Sequence, residues 1–277
     1  MIIDAHQHFW QLFRGDYGWL TPAAGALYRD YLPHDLTPLL KEHQVAATVL
    51  VQAAPTEAET RFLLRLAREH AFIAGVVGWV DFEAADVAER IAALAASGAG
   101  QLKGLRPMIQ DIADPDWILR PALDAAFEAM VAHDLVFDAL VRPVHLEALR
   151  ERLLRHPRLR AVLDHAGKPD IVGGAIEGWA RALERLARDT EICCKLSGLL
   201  SESGMRRNAA SLMPWVGQVF SSFGAERVLW GSDWPVLQTV GTYAEWLGIA
   251  RELIERCAPD RVPEVLSGTA RRLYHLH

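Results

Sequence analysis

The sequence predicts an α/β fold, a single (β/α)8 barrel of the TIM type that spans residues 1–277. About eight short apolar segments alternate with amphipathic helical stretches, and most of these segments are apolar on both faces, as buried parallel strands are. The 277 residues suit a barrel of roughly 250 residues. We find no linker, low-complexity segment or second domain along the chain.

The candidate strands come in regular order along the chain. They are Met1–His6, Ala46–Gln52, Phe72–Val80, Leu102–Pro107, Leu135–Val141, Ala161–His165, Glu191–Leu196 and Val228–Ser232. The stretches between them predict helices, because their apolar residues recur at helical spacing. Thr56 and Glu59 form a candidate capping box, Gly98 ends the next helix, and Val265–Leu276 predicts a closing helix.

The alternative architecture is an open, doubly wound sheet, which would need a glycine-rich phosphate loop after the first strand. The first strand leads instead into His6, His8 and Trp10, which cannot cradle a pyrophosphate. The longest irregular stretch, Gln11–Asp35, follows this strand. In a barrel it would overhang the mouth, where such loops shape substrate sites.

Composition excludes several classes of function. The formal net charge is −6, so no basic excess favours binding to nucleic acid. The three cysteines, Cys193, Cys194 and Cys257, make no disulfide framework and suit a reducing cytoplasm. No signal peptide or apolar run long enough to cross a membrane is visible. We therefore expect a cytoplasmic protein that binds a small molecule. The protein could also form a homo-oligomer.

Histidines and an aspartate mark the candidate active site. Asp4, His6 and His8 alternate, so in a regular strand they share one face. His165 ends the sixth candidate strand and Asp233 the eighth, and the carboxyl ends of barrel strands meet at one rim. Imidazoles and a carboxylate that meet at one point suit zinc or another first-row divalent ion.

Cationic and aromatic residues are candidates for substrate binding. We predict that Lys103, Arg106, Lys168 and Lys195 lie at the same rim, where they could bind a polyol, a carboxylate or an oxyanion. Ion pairing with nearby acidic residues is the structural alternative for each of them.

Three tryptophans, Trp10, Trp19 and Trp234, lie in predicted mouth loops. Trp10 and Trp234 are candidates for stacking on a sugar ring, although a loop tryptophan can simply anchor a lid.

Several motifs together resemble the amidohydrolase superfamily, in its family 2 branch, and within it the sugar-lactone hydrolases of the L-fuconolactonase and L-rhamnonolactonase kind. The matching segments cover nearly the whole chain in the expected order. They are Asp4–Trp10, Asp16–Leu20, Lys103–Arg106, Asp164–Pro169, Lys195–Gly198, Trp230–Pro235 and Gly268–Tyr274.

The resemblance implies His6, His8, His165 and Asp233 as ligands of one divalent metal, zinc being the first choice. One position departs from the wider superfamily. Where many members place a histidine on the fifth strand, this chain has Leu135–Ala139, and neither His133 before it nor His145 after it matches cleanly.

Lactone hydrolysis needs an activated water, a polarised carbonyl and a protonated leaving alkoxide. We assign the role of general base to Asp233, and polarisation of the carbonyl to His165, the metal or both. The sequence leaves three alternatives open: a lactonase for a dicarboxylate or sulfonated lactone of aromatic catabolism, a metal-dependent decarboxylase, and a barrel that binds a sugar acid without turnover.

Overall fold

The computed structural model describes residues 1–276. Eight parallel strands lie in chain order in one sheet, and a helix follows each of them. The strands are β1 (Ile2–Gln7), β2 (Val45–Val51), β3 (Ile73–Gly78), β4 (Leu102–Leu105), β5 (Val136–Ala139), β6 (Ala161–Leu163), β7 (Cys193–Leu196) and β8 (Val228–Trp230). The helices are α1 (Pro33–Glu42), α2 (Glu57–Glu69), α3 (Val87–Ser97), α4 (Asp124–Ala132), α5 (Leu146–Arg155), α6 (Glu177–Asp189), α7 (Ala209–Phe223), α8 (Tyr243–Cys257) and α9 (Thr269–Tyr274).

Backbone hydrogen bonds beyond the end of β8 return the sheet to β1. The Asp233 amide donates to the His6 carbonyl at 2.8 Å, and the His8 amide donates to the Trp234 carbonyl at 2.7 Å. These bonds join the two edges that an open sheet would leave unpaired. The predicted (β/α)8 barrel is therefore confirmed, and the open doubly wound alternative is wrong.

Two apolar layers hold the barrel together. The larger layer lies between the sheet and the surrounding helices. The smaller layer fills the barrel interior with aliphatic side chains from most of the strands, as TIM barrels require. Tyr274 of α9 belongs to this inner layer, so the last helix plugs the end of the barrel opposite the strands' carboxyl ends. Within residues 1–276, no helix combines the length and apolar character needed to cross a membrane.

The candidate strands coincide with the observed ones but run past several ends. The largest consequence is at β6, which ends at Leu163 although the predicted strand continued to His165. His165, Ala166 and Lys168 have left-handed backbone angles, with φ between 50° and 53°, which no strand accommodates. The predicted site residues His165 and Lys168 therefore lie in a turn beyond the end of β6.

The predicted capping box at the start of α2 is only half formed. The Glu59 amide donates to the Thr56 hydroxyl at 3.0 Å, which is the expected helix cap. The Glu59 carboxylate does not return to Thr56, however, because it accepts hydrogen bonds from the Ala53 and Ala54 amides. These contacts fix the loop between β2 and α2.

Candidate active site

A cavity of about 290 Å³ opens at the carboxyl ends of the strands. It lies near the lower end of the roughly 300–1,000 Å³ range of ligand pockets, so a small molecule fits it best. Residues from the loops after β1, β2, β4, β5, β6 and β8 line its wall, and His8, His165 and Asp233 are among them. The cavity therefore lies at the rim where the sequence predicts the site.

His6 near the end of β1 and His8 just after it reach this rim, but Asp4 does not join them. Pairing between β1 and β2 shifts register between Asp4 and Gln7, which breaks the regular alternation of side chains. Asp4 faces α8 instead, where its carboxylate accepts a hydrogen bond from the Tyr243 hydroxyl at 3.0 Å. The expectation that Asp4, His6 and His8 share one face is therefore wrong for Asp4.

Asp233 lies at the centre of three imidazoles. Its Oδ1 is 3.3 Å from Nε2 of His8, 3.6 Å from Nε2 of His6 and 4.0 Å from Nε2 of His165. His8 is oriented from its other side, since its Nδ1 lies 2.8 Å from the Val51 carbonyl oxygen. The structure thus brings together all four residues predicted to form the site.

Burial and charge set the protonation of this group. Burial favours the neutral form of Asp233, but the nearby His165 and the hydrogen bond with His8 outweigh it and hold the pKa of this carboxyl well below its usual range. Burial lowers the pKa of His165 to about 4 and that of His6 well below its ordinary value. At neutral pH the site therefore holds the ionised carboxylate of Asp233 beside the neutral imidazoles of His6 and His165.

A tight turn places His165. Its Nδ1 lies 2.9 Å from the Ser197 hydroxyl oxygen just after β7. A side chain at Gly198 would put its Cβ 2.5 Å from the same nitrogen, so only glycine leaves room for the ring. Gly198 also has φ +66°, a conformation that favours glycine. The ring is thus held between the turn at residues 165–168 and the end of β7.

The donor set fits a divalent metal. One ligand atom each from His6, His165 and Asp233 lies within 4.8 Å of the other two. Ligands in a tetrahedral zinc site are about 3.4 Å apart, given metal–ligand bonds of about 2.0–2.2 Å, and the distances to Asp233 Oδ1 bracket that value. Neutral imidazoles and a carboxylate are also the ligands that zinc prefers.

A buried charged cluster lies under His6. The Lys195 ammonium contacts Asp138 and is 3.0 Å from Oδ1 of Asp164 and 3.2 Å from Nδ1 of His6. The Tyr274 hydroxyl donates to Asp138 from below. Lys195, Asp138 and Asp164 have no exposed surface. Asp138 of β5 therefore forms an ion pair inside the barrel.

Two predicted cationic contacts are wrong. Lys195 does not line the cavity, because it lies in the charged cluster below His6. Lys103 lies at the opposite end of the barrel, where its ammonium donates to the His275 carbonyl at 3.3 Å. Lys103 lies at that end because it is near the start of β4, whereas Arg106 follows the carboxyl end of the same strand.

Arg106 and Lys168 do line the cavity, but both already have partners. Arg106 donates to Asp164 at 3.2 Å and to the Gln52 carbonyl, and its Nη1 is 3.4 Å from Nε2 of His6. The Lys168 ammonium lies 3.5 Å from the Glu202 carboxylate. These pairs fix the positions of both cations at the wall of the cavity.

The tryptophans that line the cavity are not the pair that the sequence predicts. Trp234 is buried under the first loop against Phe9 and Tyr31 and does not line the cavity, so the expectation of a sugar contact is wrong for it. Trp10 and Trp19 both line the cavity. Trp10 is fully buried, whereas Trp19 is 41% exposed.

Sequence reasoning missed the residues that orient the site. Ser197 and Gly198 belong to a motif that carried the resemblance, yet their contact with His165 could not be read from spacing. The two histidines near the fifth strand play no part in the site. His133 is exposed at the end of α4, and the His145 ring accepts a hydrogen bond from the Arg142 amide.

Comparison with known proteins agrees with this architecture. The chain is 46% identical to an L-fucono-1,5-lactonase of Burkholderia ambifaria over 99% of its own length and 95% of the relative. It is 38% identical to an L-fucono-1,5-lactonase of Burkholderia multivorans, with 99% and 96% covered. A crystal structure of a Burkholderia multivorans amidohydrolase with bound zinc superposes with a TM-score of 0.93 at 36% identity and covers both chains completely. The amidohydrolase family model matches residues 3–276, so the chain belongs to the amidohydrolase family.

Proposed function

We propose that this protein is a lactonase that hydrolyses a sugar-acid lactone, similar to L-fucono-1,5-lactone, to the free acid. One observation carries the proposal: the ionised carboxylate of Asp233 lines a small cavity and lies within 4.0 Å of three imidazoles. This arrangement suits activation of water beside a polarised ester. The full-length similarity to two proteins named L-fucono-1,5-lactonase supports the choice of substrate.

Asp233 is the general base in this proposal. Its carboxylate removes a proton from a water molecule as the water oxygen bonds to the lactone carbonyl carbon. The bond from that carbon to the ring oxygen then breaks, and the proton passes from Asp233 to the leaving alkoxide, which gives the open hydroxy acid. A metal held at this site would polarise the carbonyl; where Nε2 of His165 carries no metal, the ring, held by Ser197, would donate to the developing oxyanion instead, and one such donor is worth about 2.7–4 kcal/mol.

Zinc is the ion that we propose for the group formed by His6, His8, His165 and Asp233. A bound zinc ion lowers the pKa of its water from about 15.7 to about 7 and polarises a carbonyl oxygen. The bound zinc in the amidohydrolase structure from Burkholderia multivorans supports this choice. Asp164 would then orient His6, since its Oδ1 lies 3.4 Å from Nδ1 of that ring.

The charges of the cavity favour a neutral substrate. Two cations, Arg106 and Lys168, and two carboxylates, Asp111 and Asp233, line it. Each cation already lies beside a carboxylate, Arg106 beside Asp164 and Lys168 beside Glu202, so the wall of the cavity carries no excess of positive charge. A polyol lactone fits these walls better than the dicarboxylate or sulfonated lactone of the alternative hypothesis, whose negative charges would need unpaired cations.

The experiment is a pH-indicator assay of acid release over a panel of aldonolactones, with native protein and Asp233→Asn. We expect the native protein to hydrolyse L-fucono-1,5-lactone, and the variant to lose about 10²–10⁴-fold in kcat. Asp111→Asn is the matched control, because Asp111 is an exposed carboxylate of the same cavity, and it should stay within threefold. If folded, zinc-loaded native protein releases no acid from any lactone of the panel, the proposal is overturned. That result would favour the decarboxylase, which releases carbon dioxide.

We further propose a cytoplasmic location. Cys193, Cys194 and Cys257 are all free thiols, as expected in a reducing compartment. Labelling of these thiols in protein taken directly from cells, without reductant, would test the location.

A further inference from the structure

Trp19 exposes part of its indole at the cavity, and the proposed chemistry does not use it. Its ring lines the cavity and is 41% exposed. Its Nε1 donates to the Ala53 carbonyl at 2.8 Å, and its ring forms a T-shaped pair with Trp10, with centroids 5.3 Å apart and planes at 84°. The indole is thus anchored at its polar atom and by its contact with Trp10, while its exposed part is open to a ligand.

The anchor of Trp19 is itself held by a buried carboxylate. Glu59 has no exposed surface, and it accepts hydrogen bonds from the Ala53 and Ala54 amides, each at 2.9 Å. These bonds fix the peptide groups on both sides of Ala53. The carbonyl that receives the Trp19 indole N–H therefore has a set direction.

A second contact ties the same segment to the same loop. The Thr56 hydroxyl donates to Oδ1 of Asp16 at 3.0 Å. Asp16 and Trp19 lie three residues apart, so both ends of this short segment are docked on residues 53–56. The segment Asp16–Leu20 is thereby positioned as a fixed wall of the cavity.

We propose that the indole face of Trp19 is the platform on which the lactone ring stacks, and that Glu59 is the residue that positions this platform through Ala53. This inference rests on the proposed function, because it assigns the binding of the same substrate. A six-membered sugar lactone presents C–H groups on a ring face, and an aromatic face covers such an apolar surface while the hydroxyl groups point to the rim. Stacking binds the ground state and the transition state alike, so it affects KM more than kcat.

The test is steady-state kinetics of Trp19→Phe, Trp19→Ala and Glu59→Gln on the aldonolactone that the native protein hydrolyses best. We expect Trp19→Ala to raise KM about tenfold, equivalent to about 1.4 kcal/mol, with kcat within threefold. Trp19→Phe should have a smaller effect. Glu59→Gln places a side-chain NH2 group opposite a backbone N–H, so one of the two hydrogen bonds that hold Ala53 is lost. This variant should therefore raise KM several-fold with kcat retained.

Two further measurements separate positioning from general stability. Glu59→Gln should raise KM in the native background but not in the Trp19→Ala background, because the platform is already absent there. Addition of L-fuconate should change the tryptophan fluorescence of native protein but not of Trp19→Phe. The matched control is Phe13→Ala, which removes an aromatic side chain of the same loop that is 81% exposed and outside the cavity.

The outcomes distinguish this inference from the proposed function. An inactive native protein would refute the function, and the fluorescence titration with L-fuconate would still report on Trp19. An active native protein whose KM is unchanged within twofold in Trp19→Ala would overturn the stacking platform. Equal KM effects of Glu59→Gln with and without Trp19 would overturn the positioning role of Glu59.

Discussion

Replacement of Gly198 by alanine tests whether the position of the His165 ring sets the rate of the proposed hydrolysis. The added Cβ would lie 2.5 Å from Nδ1 of His165, 2.7 Å from its Cγ and 3.1 Å from its Cβ. Ordinary contact begins near 3.4 Å, so the ring has to move by about 1 Å. A displacement of 1 Å in a catalytic group can cost about 10²-fold in rate. We therefore expect kcat to fall about 10²-fold.

The matched control for this variant is Gly100→Ala. Gly100 also has a positive φ, +82°, but nothing lies within 4 Å of its added Cβ. Both variants bear the backbone cost of a left-handed alanine, about 1–2 kcal/mol, so each should lower Tm by a few degrees. Only Gly198→Ala should also lose activity on the lactone panel.

The refuting result is a folded Gly198→Ala protein whose kcat stays within threefold of native. Where the alanine prevents folding, Ser197→Ala tests the same contact without a clash. It removes the hydroxyl that lies 2.9 Å from Nδ1 of His165. A native kcat in that variant, measured under the same conditions, would show that orientation of this ring does not limit the reaction.

Three further predictions follow from the charges of the site. Burial lowers the pKa of His165 to about 4 in the metal-free protein, so an NMR titration of that protein should show this imidazole half protonated near pH 4; half-protonation near pH 6.5 would contradict the assignment. Lys195→Met leaves buried carboxylates without their cation, so we expect a loss of about 3–5 kcal/mol in denaturant unfolding, partly restored by adding Asp138→Asn; a loss below about 1 kcal/mol would refute this account. His6→Ala should lower the zinc retained after loading and gel filtration, as measured by elemental analysis, and an unchanged zinc content would remove His6 from the ligand set.

Local pattern in the sequence predicts the barrel and the ring of strand ends that carries the site. Alternating apolar segments and amphipathic helices specify eight βα units, and the carboxyl end of each strand must then lie at one rim. His6, His8, His165 and Asp233 could be placed there without coordinates, because each lies at or just beyond a strand end. Their roles in catalysis and metal binding remain predictions.

Only the tertiary structure decides which polar side chains face the cavity. Lys103 and Arg106 are three residues apart, yet they lie at opposite ends of the barrel, because their distance from the strand end decides the location. A register shift in β1 turns Asp4 away from the histidines, and such a shift arises from pairing with a distant strand. Lys195 lies near a strand end in the sequence, but the carboxylates of Asp138 in β5 and of Asp164 just after β6 hold it in the interior.

The same distinction applies to the aromatic residues. Trp10, Trp19 and Trp234 all belong to loops at the mouth, and their sequence surroundings do not tell them apart. Packing on Tyr31 buries both Trp10 and Trp234, whereas Trp19 remains 41% exposed at the wall of the cavity. Hydrophobic periodicity depends on residues that are close along the chain, so it predicts the strands, the helices and the rim formed by the strand ends. The direction of each side chain depends on contacts between segments far apart in sequence, which form only when the barrel closes.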